Sequence, residues 1–120
     1  MKLVRTDKHH GEFKPLAKTK IGQVAIMELE PGDVSDEELS NEHPDSEQWL
    51  YLISGTGRAT VVSRRQGRRT CTLRPGMLLI IEKGELHQIK NTGKKLLRSI
   101  NFYLPSAYGT DGRLRKRSKT

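Results

Sequence analysis

Apolar positions in this chain come in short runs, each closed by glycine or proline, and no long segment repeats them at helical spacing. Residues 24–29 are nearly all apolar and stop at Pro31-Gly32. Residues 48–53 end at Ser54-Gly55-Thr56-Gly57, and 59–63 follow at once, so these glycines mark a hairpin. Gln66-Gly67 turns into 70–73, and Pro75-Gly76 turns into 77–81. Lys83-Gly84 leads into 86–90, and Asn91-Thr92-Gly93 into 96–104. The pattern predicts seven such strands within a single all-β domain. The run 77–81 is apolar on both faces, which predicts a central strand. Residues 36–39 are the only candidate for a brief helical turn.

Because successive side chains of a strand point to opposite faces, alternation decides which residues share an interior. With Gln48 inward, Leu50 and Leu52 join it, while Trp49, Tyr51 and Ile53 face the other way. With His87 inward, Ile89 and Asn91 accompany it. A single β-bulge would exchange Glu47 for Gln48. Phe102 and Tyr103 divide between surface and core by the same rule.

Length and composition narrow the picture. A chain of 120 residues supports one domain with one core, and hydrophobic residues at 33% suit a small barrel. No stretch approaches the ~18–20 apolar residues of a membrane span. No apolar signal segment opens the chain, and the single cysteine, Cys71, excludes an internal disulfide. A cytoplasmic protein is expected. Cys71 itself is expected to be a small buried side chain.

Charge is unevenly spread. Residues 1–20 are polar and basic, with His9-His10 read as solvated, and are expected to form an N-terminal arm. The segment 33–47 holds seven carboxylates and no lysine or arginine, and 109–120 is a basic tail expected to be disordered. The barrel is then expected over 21–108. A net charge of +8 raises anionic partners, with Arg64, Arg65, Arg68 and Arg69 flanking one hairpin. No aromatic residues interleave with these charges, and there is neither zinc-finger spacing nor a helix for a groove. A solvated surface is the expectation, with nucleic-acid binding a minority reading.

Two histidine-bearing stretches carry the candidate chemistry. One runs His43-Pro44-Asp45-Ser46-Glu47-Gln48 into the strand ending at Gly55. The other runs Gly76, five apolar residues, Glu82, Gly84, His87 and Asn91. Their spacing resembles the two motifs of the cupin family, G-x5-H-x-H-x3,4-E-x6-G and G-x5-P-x-G-x2-H-x3-N. The second fits with Glu82 in the proline slot. In the first, counting back from Gly55 places Gln48 in the glutamate slot, His43 in the second-histidine slot and Asn41 in the first, with an insertion over 33–40 after Gly32. The resemblance covers roughly residues 20–105. Tyr108, after Pro105-Ser106-Ala107, resembles the Pro-Pro-Ala-Tyr ending of small bacterial cupins and is a candidate cap for the barrel mouth.

The resemblance implies a jelly-roll barrel whose interior holds a divalent transition metal (Fe, Mn, Ni or Zn) on His43, Gln48 and His87. Asn41 then sits at the rim, Asn91 supports His87, and Glu47 is the register alternative to Gln48. Imidazole suits all of these metals, whereas the neutral amides of Gln48 and Asn41 are weaker donors than a carboxylate. Three functions follow. The first is a metal-dependent dioxygenase, isomerase or lyase acting on a small polar organic molecule. The second is a non-catalytic module that binds a sugar-like or anionic ligand. The third, a minor alternative, is a nucleic-acid-associated protein using the basic hairpin and tail. A homodimer is expected, with Trp49 and Tyr51 as outward apolar anchors.

Overall fold

The computed structural model describes residues 1–40 and 45–108. Eight strands form in chain order: β1 Phe13–Lys18, β2 Gln23–Leu29, β3 Glu47–Ser54, β4 Gly57–Ser63, β5 Gly67–Leu73, β6 Leu78–Ile81, β7 Leu86–Asn91 and β8 Leu97–Leu104. They make two antiparallel sheets, a five-stranded one in the order β1-β2-β8-β3-β6 and a three-stranded one in the order β5-β4-β7. The segment after Gly32 lines the free side of β7. Val34 bridges Lys90 and Ser40 bridges His87, with the Ser35 amide donating to the Ile89 carbonyl. The result is an all-β jelly roll. Among the described residues no helix is long and apolar enough to cross a membrane.

Alternation builds the interior as expected. Gln48, Leu50 and Leu52 are buried while Tyr51 is exposed, and His87, Ile89 and Asn91 are buried together. Met27, Leu29, Leu50, Leu52 and Leu97 from the larger sheet pack against Ala59, Leu73 and Ile89 from the smaller. Burying one such leucine or isoleucine contributes about 1.5–3 kcal/mol. At the other end a second cluster joins Ala25, Tyr103, Ala107 and Tyr108, with Phe13 against it.

The β3–β4 hairpin needs both of its glycines. Gly55 has φ +85°, and a Cβ there would lie 2.7 Å from both the Leu96 carbonyl oxygen and the Leu97 Cα. At Gly57 a Cβ would meet the Lys90 carbonyl oxygen at 2.8 Å. The turn therefore packs directly on neighbouring backbone, and no larger residue fits.

Four expectations are corrected. The N-terminal stretch is more than an arm, because Phe13–Lys18 is an edge strand on β2; its Pro15 and a register shift at Pro15/Ala17 disguise the alternation. The run ending at Ile81 is an edge strand, not a central one: its apolar residues face solvent on the outside, with Leu78 and Ile80 exposed. Residues 36–39 form no helical turn and instead follow the edge of β7. Cys71 is exposed, because β5 is an outer strand whose residues are uncovered as far as Leu73.

Candidate functional site

Between the two core clusters the sheets stay apart and leave a cavity of about 440 Å³. Its floor is Met27, Leu29 and Ile89, its aromatic wall is Phe13, Tyr103 and Tyr108, and its polar residues are Gln48, His87, Asn101, Ser35, Asp36 and Ser40, with Glu12 at the edge. This volume falls within the ~300–1,000 Å³ usual for a small-molecule pocket.

Each polar group is placed by its strand. Gln48 projects inward from β3, beside Tyr103 of β8 in the register, and both are buried. His87 projects inward from β7 and is held from outside by backbone pairing with Ser40. On β8, Ser99, Asn101 and Tyr103 all face inward, and the Ser99 hydroxyl donates to Asn101 Oδ1 at 2.8 Å. The Asn101 amide in turn donates to the Tyr103 hydroxyl at 3.3 Å. Asp36 accepts the Ser40 hydroxyl at 2.6 Å. Tyr108 is brought in by Gln23, whose Oε1 accepts the amides of Ala107 and Tyr108 and whose Nε2 donates to the Tyr108 carbonyl at 2.7 Å. Its ring then meets Phe13 at 4.6 Å and Tyr103 at 5.0 Å between centroids.

Of the residues expected at a metal, Gln48 and His87 line this one cavity. His43 and Asn41 lie outside the described residues. Glu47 does not share the cavity: no bulge shifts the start of β3, and the Glu47 carboxylate accepts the Trp49 indole N–H at 2.8 Å on the opposite face. Asn91 does not support His87. Its amide donates to the carbonyls of Leu29 and Lys95, both at 2.8 Å, and its Oδ1 accepts the Gly93 amide. Asn101, Tyr103, Asp36 and Phe13 were not anticipated as site residues. One signal for two of them was available: in 97–104 the polar residues Ser99 and Asn101 alternate with Ile100 and Phe102, and the polar set has the parity of the buried Tyr103.

A metal asks for several strong donors converging on one point. Among the described residues there is no group of three or more His, Cys, Asp or Glu side chains able to hold an ion. The cavity supplies one imidazole, the carboxamides of Gln48 and Asn101, and the carboxylates of Asp36 and Glu12, which do not gather into such a group.

Comparison with known proteins agrees with this architecture. A search of curated proteins gives no match. A Bacillus halodurans crystal structure superposes with a TM-score of 0.77 at 21% identity, over 92% of this chain and 81% of that one. The cupin domain of Schizosaccharomyces pombe Cnp3 gives 0.66 at 18% identity, over 78% of this chain and 59% of that one. Bacillus subtilis oxalate decarboxylase, a protein with Mn(II) centres, gives 0.70 at 23% identity over 85% of this chain, which spans only 28% of that enzyme. The model of the cupin domain matches residues 25–103. This chain therefore belongs to the cupin family.

Proposed function

We propose that the barrel cavity binds a small, uncharged, polyhydroxylated molecule, sugar-like in chemistry. The observation that carries this reading is the lining itself. Among the described residues it holds carboxamides, phenols, hydroxyls, one imidazole and the carboxylates Asp36 and Glu12, with no lysine or arginine. An anion entering it would meet carboxylates and no fixed positive charge. Vicinal hydroxyls, by contrast, can donate to Asp36 and both accept from and donate to Gln48 and Asn101. Phe13, Tyr103 and Tyr108 offer apolar faces for the C–H side of such a ring. Calorimetric titration with neutral monosaccharides and polyols, against oxalate and formate, tests it. Binding of the neutral compounds, weakened at least about tenfold (about 1.4 kcal/mol) by Gln48→Ala or Asn101→Ala, is the expected result. Binding of the small acids alone overturns it.

A divalent transition metal is the second reading, favoured by the shared cavity of Gln48 and His87 on motif spacing. His43 is its third donor, and with a metal bound the lyase, isomerase and dioxygenase chemistries become accessible. Elemental analysis of untagged protein decides between the readings. If the metal reading holds, His43→Ala and His87→Ala lose the metal and Gln48→Glu raises its occupancy by restoring an anionic donor. Stoichiometric metal in none of these proteins leaves the direct-binding reading alone.

A further inference from the structure

We infer that the outer face of the three-stranded sheet, together with its β4–β5 hairpin, docks the phosphodiester backbone of a nucleic acid. From Gln48 to Ile81 the chain has six arginines and no carboxylate. Read alone, that is a solvated surface; the strand register gives it a shape. Because Ala59, Leu73, Ile89 and His87 face the interior, the opposite face carries three rows: Thr72–Arg58–Lys90, Thr70–Thr60–Gln88 and Arg68–Val62–Leu86. Beyond the last row lies the turn with Arg64 and Arg65, both exposed, beside Glu82 and Glu85. Cations thus stand at both ends of the strip, with the exposed hydroxyls of Thr70 and Thr72 between them; Thr60 is buried, and the Gln88 amide donates to the Asp36 and Glu37 carbonyls.

Two features separate this strip from ordinary surface charge. Arg58 lies directly opposite Lys90 across the β4–β7 ladder, a like-charge pair of the kind that destabilises a sheet unless an anion sits between the two. Edge protection accounts for arginines on β5, whose outer edge is open, but not for Arg58, since β4 is the central strand of its sheet. In addition, among the described residues none of Arg58, Arg64, Arg65 and Arg68 is ion-paired. The described pairs are Arg5–Asp7, His10–Glu28 and Arg98–Glu28, while Arg69 donates only to Gln66.

The chemistry selects the partner. Arginine, used here to the exclusion of lysine on β4 and β5, grips phosphate oxygens through two parallel N–H donors, and threonine hydroxyls are common supplementary phosphate donors. From Arg58 to Arg64 the strip runs about 20 Å at strand rise, along which one strand of a duplex presents about six phosphates. No aromatic ring lies on the strip to stack a base, so contacts stay on the backbone and carry no sequence preference. The tip, Arg64-Arg65-Gln66-Gly67, has no apolar side chain to insert into a membrane.

Fluorescence anisotropy of a labelled DNA duplex of about 20 base pairs, titrated with the full chain over a range of salt, tests this; micromolar binding with a steep salt slope is expected. The exposed triple variant Arg58→Gln, Arg64→Gln, Arg68→Gln, shown folded by circular dichroism, should lower the magnitude of that log–log slope by about 2 to 3. A second variant neutralises Arg113, Arg115, Lys116, Arg117 and Lys119, and must retain most of the hairpin-dependent slope. The inference is overturned by an absence of binding at low salt, by a slope the triple variant leaves unchanged, or by loss of all binding in the tail variant. Binding to anionic phospholipid vesicles or to a polyglutamate peptide, without binding to the duplex, also overturns it.

Discussion

Asn91 shows what a single side chain can decide. Its buried amide satisfies two backbone carbonyls, and its oxygen satisfies the Gly93 amide, so one residue closes the β7–β8 turn onto the end of β2. Removing it leaves those groups without their partner, and an orphaned buried polar group costs about 1–3 kcal/mol. Asn91→Ala should therefore lower stability by about 2–4 kcal/mol, measured as a lower urea midpoint, while leaving ligand affinity in the cavity unchanged. A loss of affinity at unchanged stability would instead return Asn91 to the site. The motif spacing located this residue and the burial parity predicted its inward direction. Neither could reveal its partners, because Leu29 is 62 residues away in sequence. For Gln48 against Glu47 the spacing was enough, since β3 runs without a bulge through both positions.

At the scale of elements, the N-terminal segment is fastened to the outer face of the larger sheet by one carboxylate. Glu28 accepts the Gly11 amide at 2.7 Å, the His10 ring at 2.9 Å and the Arg98 guanidinium at 3.0 Å. Arg98 reaches on to the carbonyls of Thr6 and His9. Burial by itself would raise the Glu28 carboxyl, but His10, the Gly11 amide and Arg98 together hold it below the ordinary glutamate value of 4.5. A carboxyl depressed in the folded state contributes stability above its unfolded value and loses it as pH falls through the folded one. Wild type should therefore exceed Glu28→Gln in urea midpoint at neutral pH, and the gap should close as pH drops below 4.5. A gap independent of pH would show that Glu28 acts by shape alone. Nothing in the sequence announced this clasp, nor β1 beside it: both join residues that alternate poorly to partners across a sheet. The strands from β2 to β8 were legible because glycine and proline bound each one. The position of β6 was not, since an apolar run at an open face looks in sequence like one at the centre of a sheet.

Across the whole molecule, that open face is where the expected homodimer becomes a specific proposal. The register aligns Val24, Phe102, Trp49 and Ile80 in one row across β2, β8, β3 and β6, and Ile26, Ile100, Tyr51 and Leu78 in the next. Within these rows Tyr51 is 41% exposed, Phe102 41%, Ile80 44% and Leu78 52%. Neither row contains a charged residue, although charged residues make up 30% of the chain. Ile26 is fully buried, so the open part of the face belongs chiefly to β8, β3 and β6. These three strands at ~4.8 Å spacing, two rows deep, present a patch no larger than the ~300–600 Å² of the largest apolar patches on monomers. For copies that each carry +8, a neutral face is where approach is least opposed, and a flat apolar sheet is self-complementary about a two-fold axis. The patch is smaller than the ~800 Å² per partner of a standard interface, so the dimer should be reversible. Sedimentation velocity at micromolar concentration should show a concentration-dependent shift between a 13.6 kDa monomer and a dimer. Tyr51→Lys and Leu78→Lys should each hold the chain at the monomer with its circular dichroism unchanged, because both side chains point to solvent. A monomer at every concentration excludes the dimer, and a dimer insensitive to both substitutions places its interface elsewhere.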